Sequence, residues 1–411
     1  MLLRKLYNLK RTNISAQGVN RMSQLTDRLS QYWDKIQATL FSWIEEQLDP
    51  LTEKQQQLVT VLELVRIEEF LPDYRGCAFR PHKTRSAIAR SFVAKMIYNM
   101  DTTTALIERL HTDKSLRRIC GWESITQLPS EATFSRAFAD FSETGLPKRA
   151  HEALIQKTLT NEVLLHNSRD STAIDAREKT QIKTGNATKN AEQMGVQSTD
   201  QKKKGRPKKG EAKSSPEPTR IEKQKTMTLA EMIDDLPILC DKGAKKDSKG
   251  NLMYWNGYKL HLDTVDGGIP VSAIITSASV HDSQVAIPLA TLTAQRISHC
   301  YDLMDAAYDV PAIIEHSQSL GHVPLIDKNP RRDKELKLAI EMENLARRTL
   351  NWEPAETAHY DVRSTAERAN SRLKDEFGAC KVRVRGGAKV SCHLMFGVLV
   401  LAADQLMKLV T

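Results

Sequence analysis

What the chain lacks narrows the choice first. It has six cysteines, Cys77, Cys120, Cys240, Cys300, Cys380 and Cys392, and no two of them form a C-x-x-C pair. None has a histidine partner at zinc-ligand spacing, which excludes a zinc ribbon or finger. Thiols scattered in this way fit a reducing compartment and not a disulfide-stapled fold. No apolar run reaches the ~20 residues needed to span a bilayer, and the longest, such as Leu394 to Ala403, ends at Asp404. The opening MLLRKLYNLKRTN is basic and partly apolar but lacks the apolar core and small-residue cleavage site of a secretory signal. Residues 1–21 are therefore expected to be a flexible extension of a soluble, cytoplasmic protein. Acidic residues are in deficit too. Sixty Lys and Arg stand against 51 Asp and Glu, a net charge of +9, which favours a polyanionic partner such as nucleic acid.

At 411 residues the chain is long enough for two or three domains with proper cores. From Met22 to Leu64 apolar residues recur every three or four positions, a helical period. A Pro- and Gly-containing loop from Asp73 to Thr84 precedes a second helical run from Ser86 to Asn99. In PSEATFSRAF, Pro129 and Ser130 open a helix whose Phe134, Phe138 and Phe141 share one face. Thr133, Ser135 and Arg136 lie off that face. A packed back with a hydroxyl-and-Arg front suits a major-groove reader, although an ordinary amphipathic helix has the same pattern.

After a helix from about Lys148 to Leu159 the character changes. LLHNSRDSTAIDARE reads as a strand, on which Asp170 and Asp175 point to opposite faces because their separation is odd. Residues from about 180 to 226 are basic, low in complexity and short of aromatics, the composition of a disordered insertion. Within it Lys204, Gly205, Arg206 and Pro207 resemble the core of an AT-hook, whose Arg enters a narrow minor groove. A solvated linker that binds phosphates without specificity is the plainer alternative. Tyr254 to Thr264 and Ile269 to Ser279 are strand-like and joined by Asp266, Gly267 and Gly268, a hairpin signal. Asp282 is expected to cap the helix that follows, with His281 a packing or surface residue. From Leu164 the order is strand, insertion, strand, strand, helix, strand, helix, strand, helix, which is a mixed α/β sheet.

One further helix has an unusual polar face. At about 100° per residue, Tyr360, Arg363, Glu367 and Lys374 fall within an arc of roughly 60° on a single helix. A solvated helix laced by i,i+4 pairs such as Arg363 with Glu367 would look the same. Asp170 on the first strand, Asp305 at the end of the fourth and Glu367 on this helix form a second pattern. Acids near the carboxyl ends of adjacent parallel strands converge in open α/β sheets. Three carboxylates without balancing charge repel, and a divalent cation resolves that repulsion. Oxygen-only ligands suit Mg²⁺ or Mn²⁺. Two such ions would serve in-line displacement at a phosphodiester, with Arg363 and Lys374 holding phosphates and Tyr360 bonding a phosphate or stacking on a base.

These residues carry a resemblance to bacterial insertion-sequence transposases of the DDE class. The Tyr-x2-Arg-x3-Glu-x6-Lys signature is met by Tyr360, Arg363, Glu367 and Lys374. RDSTAI around Asp170, LMDAAYD around Asp305 and GNLMYWNGYKLHLDTVDGGIPVSAIITSASVHDSQ add to it. FLPDYRGCAFRPHKTRSAIARSFVAKMIYNM resembles the helical DNA-binding domain that often precedes such catalytic domains. The resemblance implies a ribonuclease-H-like mixed sheet with flanking helices over residues 161–411, preceded by an all-α DNA-binding domain over residues 22–160. It implies Asp170, Asp305 and Glu367 as catalytic metal ligands for two ions, terminal inverted repeats and target DNA as partners, and a homodimer on DNA. It favours Asp170 over Asp175, because the family's first Asp typically precedes a small residue and Thr. Ala307 departs from the Gly that relatives often carry before Tyr308. A structure-specific nuclease and a non-catalytic DNA-binding regulator derived from a transposase are the alternatives.

Overall fold

A computed structural model describes residues 25–47, 50–72, 84–180, 218–246, 250–331, 333–350 and 354–410. Residues 1–21 and Arg206 lie outside them. Up to residue 159 every regular element described is helical: residues 25–35, a π-helical turn Ile36–Phe41, α1 (Ser42–Gln47), α2 (Glu53–Val65), α3 (Arg85–Ile97), α4 (Thr103–Thr112), α5 (Lys114–Ile119), α6 (Glu131–Glu143) and α7 (Leu146–Leu159). Side chains set several of the starts. Thr52 and Gln55 form a reciprocal capping box on α2, and Thr102 and Asp113 accept the orphan N–H groups of Ala105 and Leu116. The aromatic stripe of α6 is buried as its spacing predicts. Phe134, Phe138 and Phe141 surround Phe92 of α3 with ring centroids 6.1, 5.0 and 6.3 Å away.

The sheet begins with β1 (Val163–Asp175). After the insertion come α8 (Arg220–Gln224), α9 (Leu229–Asp234), β2 (Asp241–Lys246), β3 (Leu252–Val265), β4 (Ile269–Ser277), α10 (Ser283–Ala294), β5 (Ser298–Met304), α11 (Pro311–Ser319), β6 (Val323–Ile326), α12 (Lys334–Leu350), α13 (Ala355–Asp361), α14 (Ser364–Glu376) and α15 (Gly387–Met407). The six strands run β2-β3-β1-β5-β6, with β4 continuing the edge of β3 that β2 occupies at its other end. β1 pairs antiparallel with β3 and parallel with β5, so the sheet is mixed.

Two stretches differ from the sequence reading. β2 is an added strand, and the end of the basic insertion is ordered. Thr219 and Glu222 form a capping box that starts α8, and Arg220 bonds Asp235 and Gln284. The expected disordered insertion therefore does not extend to residue 219, and residues 181–217 lie outside the described residues. Low complexity was the stronger signal along the sequence, but Thr-x-x-Glu is a helix start in any composition.

α15 has the length and apolarity to cross a membrane, with mean hydropathy 1.6, yet 83% of that window is buried within the protein. It packs against α2, α3, α6 and α7 on one side and β4 on the other. One hydrophobic core accordingly runs from Leu25 through the helical region and β1 to Met407. α10 covers the opposite face of β3 and β4.

β1 leaves no room for a side chain at Gly257 of β3, where an added Cβ would lie 2.1 Å from the Ile174 carbonyl oxygen and 2.8 Å from the Ala176 nitrogen. Backbone cannot yield as a side-chain tip does, so Gly257→Ala should destabilise the protein by about 2–3 kcal/mol. The urea midpoint would fall with the slope unchanged.

Candidate active site

Register brings two acids together. On the parallel pair, Asn167 lies opposite Asp302 and Ser168 opposite Leu303. Two residues further along each chain stand Asp170 and Asp305, the latter one residue beyond β5. Even-numbered side chains of β1 face α14 and the turn before it: the Ser168 hydroxyl reaches the Val362 carbonyl in that turn at 3.5 Å, and Asn370 Nδ2 of α14 donates to Asp170 Oδ2 at 2.9 Å. Asp175 is exposed at the far end of the strand, five residues on.

Both acids sit where charge is poorly compensated. Burial pushes the Asp170 carboxyl up to about 6; the nearby Asp305 adds to this, while the Ser171 N–H, Asn370 and Arg363 pull the other way. Asp305 is also raised, chiefly by burial, with Asp282 and Asp327 adding, although its carboxylate accepts the Ala307 N–H at 2.9 Å. A cation between them would relieve the cost of ionising either one.

The polar helix face is rearranged. The helix is interrupted at Val362 and Arg363, so Tyr360 ends α13 while Glu367 and Lys374 lie on α14. The single stripe expected from 100° steps is therefore two helices meeting at Arg363. Arg363 binds Glu367 at 2.7 Å and lies over the Tyr360 ring, 5.7 Å from its centroid. The Tyr360 hydroxyl donates to Asp327 at 2.7 Å. Glu367 is 54% exposed and turned to Arg363. Lys374 is eleven residues past Arg363, half-buried, near Lys245 and Asp175. Burial and Lys245 lower its pKa. The structure thus gathers Asp170, Asp305 and Arg363, keeps Tyr360 and Glu367 on Arg363, and places Lys374 apart.

Asp282 does not cap α10, whose start carries no side-chain cap. It accepts instead from the Ser171 hydroxyl at 2.9 Å and Lys259 Nζ at 3.0 Å, and His281 bonds Ser283 in its stead. Two groups were missed in the sequence. Asn370 lies three residues after Glu367, a spacing that puts both on neighbouring helix positions. His166 links Asp266 (2.7 Å) to His359 (2.8 Å) and so ties β1 to α13.

Arg136 is exposed on α6, its guanidinium 3.4 Å from the Thr133 hydroxyl, with the phenylalanines on the buried side.

Among the described residues, no three Asp, Glu, His or Cys side chains stand close enough to enclose a metal ion. The donor chemistry nevertheless fits a hard divalent cation at Asp170 and Asp305, which offer carboxylate oxygens in a half-buried setting short of positive charge. Glu367 would have to exchange Arg363 for the ion.

Residues 170–402, more than half of the chain, match the family described as a transposase DDE domain, and residues 44–140 match one described as a transposase domain (DUF772). A ribonuclease-H-like fold is what the first of these implies, in keeping with the six-stranded mixed sheet and its flanking helices. No curated protein and no solved structure matches the chain.

Proposed function

The chain belongs to the family of transposases built on a DDE domain, and from that premise we propose that it binds the terminal inverted repeats of an insertion sequence, hydrolyses the phosphodiester at each end and joins the freed 3′-hydroxyl to target DNA. One observation carries this reading: Asp170 and Asp305 stand at corresponding positions of adjacent parallel strands, and burial raises the pKa of both.

Asp170, Asp305 and Glu367 are the residues that would hold Mg²⁺ or Mn²⁺, two ions in the family's usual arrangement. Bound there, the metal supplies an activated water or 3′-hydroxyl and stabilises the leaving oxygen. Asn370 fixes the Asp170 carboxylate through its 2.9 Å hydrogen bond. Arg363, within electrostatic reach of both acids, is placed to receive the scissile phosphate once Glu367 releases it. Tyr360 holds Arg363 from its other side, and Lys374 meets the backbone further along. The helical region to residue 160 supplies sequence recognition, with Arg136 and Thr133 on the solvent face of α6 and Arg206 adding a minor-groove contact. Two DNA ends call for two copies of the chain on DNA.

The test is to mix the purified protein with Mg²⁺ and DNA carrying its own inverted repeats. Cleavage at the repeat ends with 3′-hydroxyl products, and their joining to a supercoiled plasmid, is the expected result. Equal cutting of branched DNA without repeats would make the protein a structure-specific nuclease. Sequence-specific binding with no cleavage under Mg²⁺ or Mn²⁺ would make it a regulator.

A further inference from the structure

α12 runs for 17 residues without a buried side chain among them. Its half-buried residues are Leu336, Ile340 and Arg347. These fall within about 40° at 100° per residue and mark the face turned to the protein, where Arg347 donates to the Thr357 hydroxyl of α13 at 3.4 Å. Leu338, Met342, Leu345 and Thr349 fall within about 60° on the opposite side. The first three are 59, 70 and 66% exposed. A surface helix normally turns its apolar stripe inward; α12 carries one that points straight away from the body into water.

The spacings of four, three and four along this stripe are those of a helix that pairs with another helix. Its flanks identify the partner. Glu341 and Arg348, each one residue before Met342 and Thr349, run along one side. Ala339 and Ala346, each one residue after Leu338 and Leu345, run along the other. Glu341 meets Lys337 only at 3.9 Å, with both side chains exposed, and Arg348 forms no ion pair among the described residues. An acid beside the stripe disfavours a phosphate backbone or an anionic membrane as its cover.

Against a second copy running the opposite way, the stripe is its own complement. Placing Met342 against the partner's Leu345 also places Leu338 against the partner's Thr349, and two-fold symmetry repeats both contacts. Like flanks meet in an antiparallel pair, so Glu341 faces the partner's Arg348 and Arg348 faces the partner's Glu341. On the other side Ala339 and the partner's Ala346 let the two backbones approach. A parallel pair joins unlike flanks, which sets Glu341 against alanine and leaves both charges without a counter-charge. These layers cover less than the roughly 1,200–2,000 Å² of a standing interface. The pair therefore forms at micromolar concentration and tightens when DNA holds two copies together.

We propose that α12 is a self-association helix, which packs on α12 of a second copy of this chain in antiparallel register through Leu338, Met342 and Leu345 and two Glu341–Arg348 pairs. It supplies the surface on which the two copies of the proposed function meet, and in that use it rests on that reading; the pairing itself is measured without DNA.

Full-length protein would be followed by sedimentation velocity from about 1 to about 100 μM at about 0.1 M salt, where close charge pairs are only partly screened. Wild type should pass from monomer to dimer within this range. Met342→Lys/Leu345→Lys should stay monomeric throughout, with an unchanged circular dichroism spectrum because both side chains are exposed. Glu341→Arg and Arg348→Glu each turn two attractive pairs into repulsive ones and should raise the dissociation constant about tenfold or more. The Glu341→Arg/Arg348→Glu double variant, and an equimolar mixture of the two single variants, should return to within about threefold of wild type. Wild type that stays monomeric over the whole range, or a dimer indifferent to Met342→Lys/Leu345→Lys, would overturn the inference. So would single reversals that have no effect or that the double variant does not rescue. Wild type that pairs in this way but neither binds nor cuts repeat DNA would remove the proposed reaction and leave the pairing standing.

Discussion

Replacing Asp170 by Asn should stabilise the protein and abolish DNA cleavage in the same variant. The two effects have one cause. Burial raises this carboxyl from 3.8 to about 6, so the folded protein favours the neutral form. The stability that comes with neutrality is complete below the unfolded value of 3.8, is lost as pH rises through about 6, and stays lost at neutral pH. Two pH units correspond to about 3 kcal/mol, an upper figure for a carboxyl that keeps partial access to water. The amide of the Asp170→Asn variant would keep the shape of the carboxylate and still accept from Asn370. At pH 7.5 its urea midpoint should therefore correspond to a gain of roughly 1–3 kcal/mol, shrinking to nothing below about pH 4. Cleavage of repeat DNA should fall by about a thousandfold or more, with DNA affinity retained. Mg²⁺ should raise the melting temperature of wild type and leave the variant unmoved. A variant that cuts normally, or that melts earlier at pH 7.5, would remove Asp170 from the site.

Much of this was legible in the sequence, for identifiable reasons. Alternation and a Gly-rich turn disclosed β3 and β4, and three phenylalanines at helical spacing disclosed the buried side of α6. Both depend on apolar period, the strongest local signal. β2 was invisible because DKGAKK has no apolar alternation; it is a strand because β3 offers it an edge, with the Trp255 ring packed where a Gly243 Cβ would be. The break at Val362 and Arg363 was also hidden, since no Pro or Gly marks it and the side-chain contacts at the turn, with Ser168, Glu367 and Tyr360, come from residues distant in sequence or a turn away. Asp282 was misassigned for a similar reason. An Asp before a helix is normally its cap, but Lys259 and Ser171 bid for it from neighbouring strands, and a charged partner outweighs a backbone N–H. Asp170 stands out in the sequence because Asp in a strand is unusual, whereas Asn370, whose amide donates to it, is an ordinary helix residue until the fold places it.

The largest loss of stability should come from Arg169, the residue just before the first acid. Its side chain is 1% exposed and points to the face of the sheet opposite Asp170. There it binds Asp263 of β3 at 2.8 and 2.7 Å and lies 4.0 Å from Asp302 of β5. Asn167 donates to both acids, Thr293 to Asp263, and Ser317 to Asp302. Burial opposes ionisation of Asp302, yet the hydrogen bond from His299 and the Arg169 charge hold its pKa well below the ordinary carboxylate range. Its contribution is therefore present above that range and lost as pH falls into strong acid. Arg169→Met would leave two buried carboxylates without their cation, which costs about 3–5 kcal/mol and a large share of a typical domain's stability. Arg169→Lys keeps the charge but loses the two-pronged grip on Asp263, for a cost of roughly 1–3 kcal/mol. The Lys variant separates structure from function. Because this network fixes β1 against β5, and with them Asp170 beside Asp305, cleavage of repeat DNA should fall at least about tenfold at a temperature where the protein is folded, while repeat affinity stays within about twofold. Full activity in a folded Arg169→Lys variant would mean that the contacts of Ser168 with the Val362 turn and of Asp170 with Asn370 on α14 are enough to align the two acids.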